Sequence, residues 1–197
     1  EDAPRSVPKI LPRDSCILVA MGPFRAVVRH DMVLVFNPSQ PITRFAVGQV
    51  EHFLRETDAE EQQFGQERSP FELLVLDAML AYLTEAYARR SALFLPVVNG
   101  VLDQLRNHIA DSQALHLLVP LRNGLESFRQ KVDDMLSMLE LLMDNDEDML
   151  HLNLTERAKV DHPVELDKAL HDRVELMLEH YHRELMVSKQ QIVLMIS

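Results

Sequence analysis

Asp144, Asp146, Glu147 and Asp148 put four carboxylates into five consecutive positions, "DNDED", directly after an apolar helical run. Carboxylate oxygens at that density suit a hard divalent cation, so the stretch "LLMDNDEDMLHLNLTERA", residues 141–158, is first a candidate metal-binding loop. Asp144, Asp146 and Asp148 match positions one, three and five of a calcium-binding EF-hand. That loop also needs glycine at its sixth position and a bidentate glutamate at its twelfth. Met149 and Thr155 stand there, so the EF-hand geometry fails at both. Two readings remain. The run is a solvated connection between helices, the usual place of clustered acids, or it holds weakly bound, hydrated Mg²⁺. Close carboxylates repel by about 1 kcal/mol per pair in water, and a dication relieves that repulsion.

Other chemistry finds less support. Nine histidines invite a transition-metal reading, notably His180 and His182 near His171. Residues two apart on a helix point in different directions, so His180 and His182 do not share an ion, and no HExxH pair exists. Surface or interface histidines are the expectation. Neither a GxSxG elbow nor a phosphate-cradling glycine loop is present, which leaves an enzyme reading little to stand on. Cys16 is the single cysteine, so disulfides and cysteine metal sites are excluded and a reducing compartment fits. The ten methionines are assigned to core and helix-seam packing rather than to an adaptable partner surface.

The elements that must carry the acidic run follow from periodicity. "SCILVAM", "FRAVVR" and "MVLVFN" are short runs of branched apolar residues separated by Gly22-Pro23 and by Arg29-His30-Asp31, a pattern that predicts an antiparallel meander. "KILPR" adds a strand that Pro12 confines to an edge. From Val47 the period changes: "AVGQVEHFLRE" predicts a helix and "TDAEEQQFGQERS" a polar loop. Ser69-Pro70 followed by Glu72 marks a helix start, with proline in the first turn and an acid near the positive end. That helix is expected to reach about Arg106, bent or interrupted at Pro96. A second runs from near Ser112 to Met143, with Pro120 and Gly124 as weak points. Val174, Leu178, Tyr181, Leu185, Ser188, Ile192 and Met195, alternately four and three apart, form the stripe of a helix that packs lengthwise on others. No cap closes that stripe at Ser197, so the chain is expected to continue in helix.

The 197 residues suffice for one domain with a real core, and only five glycines interrupt them, which favours helix. Net charge is -11, and residues 126–185 hold 16 acidic against 7 basic side chains. Cations accumulate over such a surface and phosphate-rich partners are repelled, which argues against nucleic acid. No apolar stretch reaches the roughly 18 to 20 residues that cross a bilayer. The start, "EDAPRSVPK", has no apolar signal segment and looks like a mature or trimmed end.

Four stretches together resemble one family. "ILPRDSCILVAMGPFRAVVRHDMVLVF" is similar to the strand segment of the soluble domain in Mrs2-type magnesium channels, of the CorA/Mrs2/Alr1 superfamily. "SPFELLVLDAML" resembles that family's helix start, "LLMDNDEDMLHLNLTERA" its acidic helix-to-helix connection, and "VELMLEHYHRELMVSKQQI" the first part of its long stalk helix. The resemblance implies an α+β domain of α/β/α layering, a small, largely antiparallel sheet between helical layers. It divides the chain into a flexible lead-in over 1–9, a regulatory domain over 10–165 and the start of a stalk helix over 166–197. The family's Gly-Met-Asn triplet and two transmembrane helices would lie beyond Ser197. It also implies a homopentameric channel of the mitochondrial inner membrane with this domain facing the matrix, although relatives occur in other organelle membranes. Acidic side chains there bind regulatory Mg²⁺ near subunit contacts and bias gating. Carried onto this sequence, the candidate ligands are Glu72, Asp144, Asp146, Glu147 and Asp148, with Asp172 and Glu175 at the stalk start. The competing expectation is a helical scaffold or protein-interaction module with no ion role.

Overall fold

The computed structural model describes residues 7–64, 69–107, 112–159 and 168–196. Four short strands come first: β1 (Lys9–Pro12), β2 (Ile17–Met21), β3 (Phe24–Val28) and β4 (Val33–Val35). They form one antiparallel meander in sequence order, as the apolar runs and their turn residues predict. Lys9 already pairs with Ala20, so the sheet begins inside the expected lead-in. The β2–β3 hairpin closes through Gly22-Pro23, with Met21 opposite Phe24 and Gly22 at φ +50. A two-residue hairpin turn needs positive φ at its first central position. A β-carbon there would also press on the Leu83 side chain, which would have to shift.

Strand alternation gives the sheet two different faces. Ile10, Ile17, Val19, Met21, Phe24, Ala26 and Val28 are buried and belong to the main core. On the other face Leu11, Leu18, Val27 and Leu34 are paired across all four strands in one row, and Leu11, Leu18 and Leu34 are exposed. The helices that touch the sheet are among those sharing the first face's core. The expected α+β class holds, while this outer row lies open among the described residues.

Among the described residues six helices follow: α1 (Pro41–Phe64), α2 (Phe71–Asn107), α3 (Ser112–Met143), α4 (Asp146–His151), α5 (Leu154–Lys159) and α6 (Lys168–Ile196). α1 begins earlier than expected, with Pro41 at its first position, where proline's missing N–H costs nothing. It also continues to Phe64 through much of the stretch read as a polar loop. Glu, Gln and Ala are strong helix formers, so a polar composition there did not mean a break. α2 and α3 run on through Pro96 and Pro120, where an interruption at Pro96 was one expected outcome. The boundary between domain and stalk expected near residue 165 lies outside the described residues.

The core is a bundle seam laid against the sheet. α6 packs along α3 and α2 through Val174, Leu178, Tyr181, Leu185, Ser188 and Ile192, all buried, which is the stripe that the four-three spacing predicts. The same buried cluster includes Val132, Met135, Leu136 and Leu139 of α3 and Val75, Leu76, Met79 and Leu83 of α2. Met135, Met138 and Met149 are buried, and Met143, Met177, Met186 and Met195 pack at the edge of the same cluster, in line with their assignment to packing. Phe128 forms an aromatic node between α3 and α2. Tyr87 meets it edge-on at 5.7 Å, Phe94 stacks at 5.8 Å, and the Arg90 guanidinium lies 5.0 Å from its ring centre.

Candidate metal centre

The acidic run closes α3 and opens α4. Asp144 lies in the turn after Met143, and Asn145 caps α4, its side-chain oxygen accepting from the Glu147 and Asp148 amides at 3.2 and 3.3 Å. Asn145 Nδ2 donates to Asp148 Oδ2 at 3.0 Å. The acids at 146–148 therefore occupy a first helical turn, where the unpaired amides and the helix dipole favour negative charge. Asp144, Asp146 and Glu147 point into solvent and Asp148 is half-buried. What fixes the run is its apolar side: Met149 and Leu152 are fully buried, and α4 packs on α3, α6 and β1. Met149 is the residue that stands where an EF-hand needs glycine; here it anchors a helix.

Across from α4 lies the first turn and a half of α6. His171 Nε2 is 3.3 Å from Asp146 Oδ1, while its Nδ1 is 3.7 Å from both Asp172 Oδ1 and Glu175 Oε2. The imidazole is mostly covered, with 15% side-chain exposure, whereas Asp146 is 74% exposed and Asp172 and Glu175 nearly half exposed. His171, Asp172 and Glu175 offer one ligand atom each within 4.8 Å of one another. Two acidic segments some 25 residues apart in sequence, Asp146 in the connection and Asp172 with Glu175 at the stalk start, thus meet around a histidine. Sequence spacing pairs His171 with Glu175 one turn on, whereas the approach of Asp146 from another helix is not visible in it. His182 is likewise an interface histidine, its Nε2 lying 3.0 Å from Glu140 Oε1 between α6 and α3.

Glu72, the candidate ligand at the start of α2, is held apart from this cluster. It is fully buried in the first turn of α2. Its Oε1 accepts from the Thr155 amide at 2.7 Å and its Oε2 from the Thr155 hydroxyl at 2.6 Å. A buried carboxylate needs such donors, and an α5 amide near the helix start needs an acceptor, so the pair satisfies both. Thr155, which stands where an EF-hand needs its bidentate glutamate, is therefore a donor to a carboxylate. Glu72 ties α2 to α5 and has no open side toward an ion.

Further pairs lock α6 to the bundle. Tyr181 donates its hydroxyl to Asp77 Oδ1 at 2.5 Å, Lys189 Nζ meets Asp133 Oδ1 at 2.8 Å, and Ser91 donates to Gln191 Oε1 at 3.0 Å. Burial, then the hydrogen bond to Asp77, then that carboxylate's charge, push the Tyr181 phenol well above its ordinary value.

An acidic helix connection facing the start of a long helix, beneath a four-stranded meander, coincides with a family match over nearly the whole chain: the model described as "Magnesium transporter MRS2-like" covers residues 1–196. The chain belongs to the MRS2-like family of magnesium transporters. It is 30% identical over 184 residues to the mitochondrial inner membrane magnesium transporter LPE10 of Yarrowia lipolytica, covering 90% of this chain and 38% of that protein. It is also 30% identical over 179 residues to the mitochondrial inner membrane magnesium transporter mrs2 of Aspergillus fumigatus, covering 90% of this chain and 29% of that one. The chloroplastic magnesium transporter MRS2-A of Oryza sativa subsp. indica is 25% identical over 188 residues, covering 89% of this chain and 39% of the rice protein. This MRS2-like chain thus spans well under half the length of these relatives. Among its described residues no helix is long and apolar enough to cross a membrane.

Proposed function

We propose that this chain is the Mg²⁺-sensing regulatory domain of a magnesium channel of the mitochondrial inner membrane, a domain that faces the matrix and assembles as a homopentamer. Hydrated Mg²⁺ collects among Asp144, Asp146, Glu147 and Asp148, with Asp172 and Glu175 facing them from the start of α6. The observation that carries this reading is the convergence around His171 of Asp146 with Asp172 and Glu175, acids from two separate segments. Each close pair of carboxylates costs about 1 kcal/mol in water, and a small hard cation among them removes that cost. The donor set fits the ion: exposed carboxylate oxygens are what Mg²⁺ takes while keeping most of its water. Binding that differs between two arrangements of the subunits shifts the balance between them, and α6 is the element that would carry the difference toward a pore.

Titrating MgCl₂ into the purified chain while recording melting temperature and association state tests this. Ligand at ten times its dissociation constant stabilises by about 1.4 kcal/mol, which for a domain of this size is a rise of about 3–6 °C. The Asp144→Asn, Asp146→Asn, Glu147→Gln, Asp148→Asn variant should melt higher without Mg²⁺ and lose the rise. A flat response to millimolar Mg²⁺, or an undiminished response in that variant, would overturn the sensing role.

A further inference from the structure

We infer that His171, Asp172 and Glu175 form a site for a borderline divalent transition metal such as Zn²⁺ or Co²⁺, sharing Asp172 and Glu175 with the acids proposed for Mg²⁺, with Asp146 as the outer partner that orients the imidazole. The inference does not require the Mg²⁺ reading.

Ligand chemistry carries the distinction. Mg²⁺ prefers oxygen, whereas an imidazole nitrogen with two carboxylates is a donor set for zinc, cobalt or nickel. Asp146 Oδ1 lies 3.3 Å from His171 Nε2, where a carboxylate accepts from an Nε2–H. In the neutral ring protonated on Nε2 the lone pair is on Nδ1, the nitrogen that faces Asp172 and Glu175, each at 3.7 Å. This is the carboxylate–histidine–metal relay in which a second carboxylate fixes the tautomer of a ligating histidine.

The spacing needs little change. With metal–ligand bonds of about 2.0–2.1 Å, atoms on a tetrahedral zinc stand about 3.4 Å apart, so the two 3.7 Å separations are close to the bound arrangement. Side-chain rotation in Asp172 and Glu175, both nearly half exposed, draws in the rest. Helix geometry puts Glu175 one turn beyond His171 on the same face, and Asp172 reaches the imidazole from the next position at 3.7 Å. The imidazole itself is mostly covered, so one ligand is already in place before the ion arrives.

The test uses the purified 197-residue chain, free of Mg²⁺, titrated with CoCl₂ as a visible stand-in for zinc. The expected result is a ligand-field absorption band that saturates near one equivalent and is displaced by ZnCl₂ but not by equimolar MgCl₂. His171→Ala and Glu175→Gln should each weaken Co²⁺ binding by about 10-fold or more, and Asp146→Asn by about 10-fold through lost orientation. Asp144→Asn, Glu147→Gln, Asp148→Asn should leave it within about 2-fold, because those groups lie outside the relay. His171→Gln serves as a second histidine variant, and matching melting temperatures in EDTA establish that each variant is folded. A band unchanged in His171→Ala or His171→Gln, or lost in the triple variant, would overturn the site. Failure of the sensing role appears as a flat Mg²⁺ melting response, and failure of this site as a His171-independent Co²⁺ band, so the two are told apart.

Discussion

Removing the hydroxyl of Thr155 isolates the contribution of a fully buried carboxylate. In Thr155→Val the side chain keeps nearly the same shape, the Thr155 amide still donates to Glu72 Oε1, and Oε2 loses its donor at 2.6 Å. A hydrogen bond to a charged group nets about 1.5–3 kcal/mol, and a buried acceptor left unpaired costs in the same range. The expected loss is therefore about 2 kcal/mol, which lowers the melting temperature by about 4–8 °C in a domain of this size. Glu72→Ala removes both bonds and leaves a small void, and should cost about 3–5 kcal/mol. Urea unfolding followed by far-UV circular dichroism measures each variant and the double one. If the bonds act as one unit, the double variant is less destabilised than the sum of the singles by about 1–2 kcal/mol. Additive losses, or a Thr155→Val protein that melts with the wild type, would refute the account of Glu72 as the acceptor that secures α5. Glu72→Gln supplies a second check: it should keep the full Mg²⁺ response, and loss of that response at unchanged basal stability would put the ion at Glu72 after all.

Two further outcomes follow from single contacts. Tyr181→Phe loses the bond to Asp77 and should cost about 1–2 kcal/mol near neutrality. Because the folded phenol is raised above 10, its stabilisation is full below pH 10 and declines as pH climbs from there toward the raised value, the unfolded chain releasing its proton first. Urea unfolding between pH 8 and 11 should therefore show a steeper alkaline loss in the wild type than in the variant, and parallel slopes would contradict the assignment. Gly22→Ala should destabilise by about 1–3 kcal/mol, because it combines positive φ with a clash at Leu83; a thermal melt indistinguishable from the wild type would show that the hairpin relaxes at no cost.

How much of this was legible beforehand depended on the range of the interactions. The meander and the α6 stripe were readable because alternation within a strand, and the four-three spacing of Val174 through Ile192, are local records of which side faces the core. The extension of α1 to Phe64 was misread because a polar composition resembles a loop, although glutamate and glutamine favour helix where no core is needed. α4 was invisible as a helix. Its six residues carry too little periodicity, and only the Asn145 cap marks the start. Among the candidate ligands, the connection acids and the stalk-start acids were named separately and the fold placed Asp146 beside Asp172 and Glu175. Glu72 looked the same as they did in sequence, as an acid near a helix start. Its actual partner is 83 residues away, and nothing in the spacing announces it.

The polar contacts along α6 answer a difficulty that its apolar stripe creates. A four-three repeat matches itself after a shift of seven residues, so hydrophobic burial alone gives α6 several comparable positions against α2 and α3. Tyr181 to Asp77, His182 to Glu140, Lys189 to Asp133 and Gln191 to Ser91 break that degeneracy, since a shift would leave at least Ser91, fully buried in α2, without its partner. Leaving buried polar groups unpaired costs about 1–3 kcal/mol each, more than most apolar repacking would return. The register of α6 is thereby set by polar pairs in its middle and far half, while its first turns meet α4 through the exposed cluster of His171, Asp146, Asp172 and Glu175. In that cluster Asp146 is 74% exposed and Asp172 and Glu175 nearly half exposed. The proposed ion, bound there, would act on the end of a rod whose remaining length is already locked in register.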